Sequence, residues 1–104
     1  MTLRELLEAA ASELPGIGSS VGPDGAITWS RGGRTFAVAS ADGASAQFAL
    51  DPAIADAAAR TRDVTASGRG TGWVTFTPTT LDDHAADRAV AWLASAHRRA
   101  ELRN

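Results

Sequence analysis

The sequence predicts one α+β domain in which helices cover one face of an antiparallel sheet of about four to five strands. Two observations support this. Apolar residues recur at helical spacing near both ends of the chain, over residues 2–13 and after Thr80. Between these stretches lie short runs of alternating apolar and polar residues, separated by glycine-containing dipeptides. The 104 residues are about the length of a single domain, spanning 1–104.

The first helix is predicted over residues 2–13. Thr2 and Glu5 have the spacing of a capping box, and an apolar stripe follows from Leu3 onward. Pro15-Gly16 ends the helix. A connector rich in glycine and serine is then expected up to Gly25.

Three strand-like runs follow and predict an antiparallel meander. The dipeptides Gly32-Gly33 and Asp42-Gly43 separate the runs, and both suit the tight primed turns of hairpins. We expect Phe36, Phe48, Val74 and Phe76 on the face that the helices cover, touching Leu7, Trp92 and Leu93. Within each run, alternate residues are expected to share one face of the sheet. These sets are Ile27 with Trp29, Phe36 with Val38, and Ala46 with Phe48 and Leu50.

The second half of the chain predicts a short inserted helix, further strands and a long last helix. Asp51 as N-cap with Pro52 after it begins the short helix, which ends near Arg60. A brief strand is expected at 64–66 and another at 73–77, where Trp73 faces away from Val74 and Phe76. Thr80 is the expected cap of the last helix.

Composition excludes several kinds of chemistry. The chain has no cysteine, lysine or tyrosine, so thiolate catalysis, a Schiff-base lysine and a Walker lysine are ruled out. His84 and His97 lie roughly 20 Å apart along one predicted helix and cannot share a metal, so we expect neither metal nor cofactor. No apolar run is long enough for a signal peptide or a membrane span, which predicts a cytoplasmic protein.

No catalytic motif stands out. The stretch "GRGTG" at 68–72 precedes a strand, whereas dinucleotide-binding glycines precede a helix. There is no G-x-S-x-G elbow for a serine nucleophile. Carboxylates that pair only in space stay open, but we expect a protein that is not an enzyme.

Arginines and one tryptophan are the candidate binding residues. Arg31 and Arg34 flank the Gly32-Gly33 turn, and Arg69 lies in the glycine-rich loop before Trp73. An arginine at a glycine-rich tip near an aromatic ring suits contact with phosphates and bases. The alternative is that a hairpin tip simply needs polar residues. The net charge of −2 indicates weak binding of any polyanion.

The order of short motifs along the chain resembles the MmcQ/YjbR family of small bacterial proteins. The motifs are "LPG" at 14–16, "GRTFAVAS" at 33–40, "ALDP" at 49–52, "GWVTF" at 72–76 and a closing helix through "AVAWLASAHRRA". The resemblance implies a fold similar to the frataxin-like CyaY fold. It also implies weak binding of double-stranded DNA through two projecting hairpin wings.

The resemblance also places the candidate residues on the proposed wings. Arg31 and Arg34 would lie on one wing, and the loop before Trp73 near the other. This chain departs from the family where members often carry Lys or His with Asn before that tryptophan, and Lys before Asp-Pro. The alternative function is a non-enzymatic module that binds a protein or a small ligand, with Trp73 in an exposed patch.

Overall fold

The computed structural model describes residues 1–102, which form three helices and six strands. All six strands belong to one antiparallel sheet in the order β1-β2-β3-β4-β6-β5. The elements are α1 Leu3–Ala11, β1 Ile17–Val21, β2 Ile27–Arg31, β3 Arg34–Ala39, β4 Ala46–Ala49, α2 Pro52–Ala59, β5 Val64–Ala66, β6 Trp73–Phe76 and α3 Asp83–Leu102. The predicted α+β class is confirmed, with six strands instead of about four to five.

The additional strand, β1, lies in the segment expected to be a connector. Its glycine and two serines have weak strand propensity, which is why the sequence pattern missed it. It nevertheless pairs with β2 over five consecutive positions, from Ile17 opposite Arg31 to Val21 opposite Ile27. Pairing with an adjacent buried strand therefore outweighs local propensity here.

Helix α1 begins with the predicted capping box. The backbone N–H of Glu5 donates to Thr2 Oγ1, and the N–H of Thr2 donates to Glu5 Oε1. Hydrogen bonds from the backbone and the side chain of Thr2 to the Glu5 carboxylate lower the pKa of Glu5. Leu3, Leu7 and Ala11 are buried along one side of the helix, which ends before the predicted Glu13.

A β-bulge in β3 changes which residues face the helices. Trp29 pairs with Ala37 but Ser30 pairs with Thr35, so Phe36 is an extra residue without a partner in β2. Phe36 is buried on the helix side, where its ring meets His97 of α3 edge-on at 5.7 Å. Val38 then lies on the other face, opposite Gln47 of β4, so the predicted pairing of Phe36 and Val38 on one face is wrong.

The aromatic core between the sheet and α3 is confirmed. Phe48 of β4 and Phe76 of β6 are fully buried and both contact Trp92, with ring centroids 6.2 Å and 5.1 Å away. Leu7 of α1 and Leu93 of α3 belong to the same cluster. The helices therefore cover one face of the sheet, which we call the inner face, and the opposite face is the outer face.

Two expectations about turns and caps need correction. Gly32 and Gly33 both have positive φ, as the predicted primed turn requires. The second hairpin has a wider loop, because the last backbone contacts join Ser40 and Ser45. The residue that caps α3 is Asp82 and not Thr80. The Asp82 carboxylate accepts a hydrogen bond from the N–H of Ala85, and the Asp82 carbonyl accepts one from the N–H of Ala86.

Candidate nucleic-acid interface

The antiparallel register brings the two glycine-rich turns to the same end of the sheet. Strand β2 ends and β3 begins at the Gly32-Gly33 turn, and β6 begins directly after the loop 67–72. Ala49 at the end of β4 pairs with Trp73 at the start of β6, which fixes the relative position of these strands. The last turns of α3 lie at the same end, where Arg99 forms an ion pair with Asp51.

The loop 67–72 is held firmly at its base. The N–H of Ser67 donates to the carbonyl of Trp73, and the N–H of Leu50 donates to that of Gly72. Gly72 has φ +84°, and a Cβ there would lie 2.3 Å from the carbonyl oxygen of Leu50. Residues 68–71 are exposed, as predicted, whereas Gly72 is half-buried. The mobility of this loop stays a prediction.

Trp73 lies on the outer face, as the alternation in β6 predicts, and is half-buried. The guanidinium carbon of Arg69 lies 5.5 Å from the centroid of the Trp73 ring, a cation–π geometry. The Nε–H of Arg69 also donates to Gln47 Oε1. Arg69 therefore folds back from the glycine-rich loop and covers the indole, instead of extending into solvent.

A notch of about 80 Å³ lies beside Trp73, where the pairing of β3 with β4 stops next to the bulge. We call it the arginine notch, because Arg34 and Arg99 line it together with the indole. Asp51 neutralises part of this charge through its ion pair with Arg99, with Arg99 Nη1 and Asp51 Oδ2 3.5 Å apart. The remaining lining residues are Thr35, Phe36, Ala49, Ala96 and Ala100.

The structure separates Arg31 from the other three predicted residues. Arg31 lies on the inner side of β2, with only 18% of its side chain exposed. Its Nη2 is 3.3 Å from Glu101 Oε1, and its Nη1 is 3.2 Å from His97 Nδ1 and 3.4 Å from the His97 carbonyl oxygen. Arg31 thus joins β2 to the end of α3, and these contacts leave it poorly placed to meet a phosphate at the notch.

His97 is a buried structural residue in this arrangement. Its Nε2 lies 2.8 Å from the carbonyl oxygen of Pro15, an acceptor, so Nε2 carries the proton and donates. Its Nδ1 then accepts from Arg31, which requires the neutral ring. His97 thus links α3 to β2 and to the segment that follows α1.

Sequence reasoning missed Arg99 and Gln47 as members of the candidate site. Gln47 had a signal, because it is the one polar residue in β4 and its neighbours Ala46 and Phe48 face inward. Arg99 had no comparable signal. Its role depends on the end of α3 passing behind the gap between β3 and β4, which only the tertiary structure shows.

Other concave regions differ in character from the arginine notch. A groove of about 520 Å³ runs between α1 and β1 and has a mixed lining of apolar and polar residues. A cleft of about 240 Å³ beside the start of α3 holds arginines and aspartates together with His84.

Within residues 1–102, no three histidine, aspartate or glutamate side chains are grouped closely enough to hold a metal ion. In the same part of the chain no helix has the length and apolarity needed to cross a membrane.

Comparison of the chain with protein-family models and with curated protein sequences finds no match. The resemblance to the MmcQ/YjbR family therefore stays a prediction that depends on the short motifs alone. The function has to be argued from the residues at the notch.

Proposed function

We propose that this protein binds DNA weakly at the end of the sheet that carries the Gly32-Gly33 turn, through Trp73 and the arginine notch. The observation that supports this proposal is the convergence of Arg34, Arg69 and Arg99 around one half-buried indole. Guanidinium groups bind phosphates, and an aromatic ring offers a stacking surface to a base. The combination is typical of proteins that bind nucleic acid by its backbone and base faces.

An unpaired strand suits this surface better than a duplex. The turn between β2 and β3 consists of Gly32 and Gly33, so its tip has no side chain to enter a groove of duplex DNA. Trp73 instead lies on an outer face that no described helix covers, beside the polar side chains of Gln47 and Thr75. An unstacked base reaches the part of the ring that Arg69 leaves exposed, whereas a paired base in a duplex does not.

The expected affinity is low. The chain has a net charge of −2, and Arg31 and Arg99 are already paired with Glu101 and Asp51. Two to three phosphate contacts predict a salt slope of about −1.4 to −2.1 for a single strand. The dissociation constant is then on the order of 10⁻⁴ to 10⁻⁶ M, the range of non-specific binding.

The test is fluorescence anisotropy with a labelled single strand and the matching duplex at low salt. Replacing Arg34 or Arg69 with Ala should weaken binding and reduce the salt slope by about 0.7 for each lost contact to a single strand. Arg60→Ala is the matched control, because it removes the same charge from an exposed position at the end of α2.

The proposal fails if neither form of DNA binds at high micromolar protein, or if Arg60→Ala weakens binding as much as the variants at the notch. Tighter binding of the duplex than of the single strand would contradict the stacking role of Trp73. Absence of all nucleic-acid binding would favour a protein or small ligand at the same surface.

A further inference from the structure

We propose that two copies of this chain associate by antiparallel pairing of their β1 strands, which joins the two sheets edge to edge. Strand β1 pairs with β2 alone, so its other side presents backbone N–H and C=O groups without a strand partner. The opposite edge of the sheet is different, because β5 has only three residues and α2 packs against it. The longer and less covered edge is therefore β1.

Strand β1 has none of the features by which natural proteins protect an edge. Such edges are blocked by charged side chains, proline or bulges. Ile17–Val21 contains no charged residue and no proline, and its five pairs with β2 run without a register shift. Pro15 and Pro23 lie just outside the strand, so they limit the length of the pairing without preventing it.

The strand is self-complementary when it is paired about Ser19. In that register Ile17 of one copy lies opposite Val21 of the other, on the inner face of the joined sheet, and Gly18 lies opposite Ser20 on the outer face. Val21 is 61% exposed in the single chain, an unusual position for a β-branched apolar residue. Pairing places it beside Ile17 of the second copy.

The groove between α1 and β1 explains why a second copy fits this edge. Ala11, Leu14 and Ile17 line this space of about 520 Å³, and Val21 of the second copy reaches its open side in the register above. Glu8, the one charged residue in the groove, is already paired with Arg4 at 3.0 Å. Pairing therefore buries apolar surface without leaving a charge unpaired.

Antiparallel pairing about Ser19 has a two-fold axis, which repeats each contact in both copies. The axis is perpendicular to the sheet, so the outer faces of both copies lie on the same side.

The experiment is sedimentation velocity across a range of concentrations up to several hundred micromolar, on the wild type and two variants. Val21→Asp places charges in the paired edge and should raise the dimer dissociation constant at least about tenfold. Ile54→Asp is the matched control, because Ile54 is an exposed apolar residue on α2, away from β1, and should leave the constant unchanged.

Hydrogen–deuterium exchange supplies a second readout that does not depend on a variant. The amides of residues 17–21 should become slower to exchange as the protein concentration rises, while those of β5 should not change. The proposal is overturned if the wild type stays monomeric at all concentrations. Equal effects of Val21→Asp and Ile54→Asp, or exchange in β1 that is independent of concentration, would overturn it as well.

Discussion

Gly72 is the position where the structure makes the sharpest prediction about the fold. It joins the glycine-rich loop to β6, and its carbonyl accepts the N–H of Leu50 at 2.8 Å. Its φ is +84°, and an added Cβ would lie 2.3 Å from the carbonyl oxygen of Leu50. Because that atom is backbone, relief of the contact requires β4 and β6 to move apart next to Trp73. Gly72→Ala should therefore destabilise the protein.

Three glycines allow the conformational cost of a positive φ and the cost of the steric clash to be measured separately. Gly68 has neither a positive φ nor any atom within 4 Å of an added Cβ, so Gly68→Ala should change stability by less than about 1 kcal/mol. Gly33 has φ +81° but open space, so Gly33→Ala isolates the conformational cost of about 1–2 kcal/mol. Gly72→Ala adds the backbone clash and a weakened hydrogen bond, for a total of about 2–4 kcal/mol.

The assay is urea unfolding followed by far-UV circular dichroism, which gives the free energy of unfolding of each variant. The expected order of stability is Gly68→Ala, then Gly33→Ala, then Gly72→Ala. The reasoning is refuted if Gly72→Ala lies within about 1 kcal/mol of the wild type. It is also refuted if Gly68→Ala is as destabilised as Gly72→Ala.

Three further predictions concern the core, the arginines and acid. Phe48→Ala should lower the free energy of unfolding by about 3–5 kcal/mol, because the ring is fully buried against Trp92; a loss below 1 kcal/mol in urea unfolding would contradict this. Arg31→Ala should destabilise the fold more than Arg60→Ala in thermal melts, because it removes the contacts with Glu101 and His97, and should weaken DNA binding less than Arg69→Ala in anisotropy; the reverse order in either assay is the contrary result. Hydrogen bonds with Thr2 lower the pKa of Glu5. The stability that the ionised Glu5 carboxylate adds is therefore present above the ordinary pKa of 4.5 and is lost as pH falls through the lower pKa of the folded state. Glu5→Gln should therefore flatten the fall in stability below pH 4.5, and an unchanged acid limb would argue against it.

The face of each strand residue was predictable wherever strict alternation holds. In β6 the alternation places Trp73 outward and Phe76 inward, as the structure does. The same rule, applied to Ile27 and Trp29, also places Arg31 on the inner side, a consequence that the family resemblance obscured. The partners of Arg31 were not predictable, because His97 and Glu101 lie some 70 residues further along the chain.

The arginine notch was beyond sequence reasoning for a related reason. It lies next to the bulge at Phe36, where the pairing of β3 with β4 stops at Ala37 and Phe48 and the end of α3 lines the gap. A bulge adjusts the twist of one strand to its neighbours, and an isolated run of residues does not show it. The candidate residues could be named in part from the sequence, but their convergence depends on this irregularity.

The most direct test of the proposed function is quenching of tryptophan fluorescence by an unlabelled oligothymidylate. Trp29 and Trp92 are buried at 2% and 9% exposure, so Trp73 is the tryptophan that a base in solution reaches. Stacking of a base on Trp73 predicts saturable quenching at low salt, and this quenching should be absent in Trp73→Phe. Added salt should release the oligonucleotide and restore the fluorescence of the wild type. No quenching at high micromolar oligonucleotide, or equal quenching in Trp73→Phe, would contradict the account.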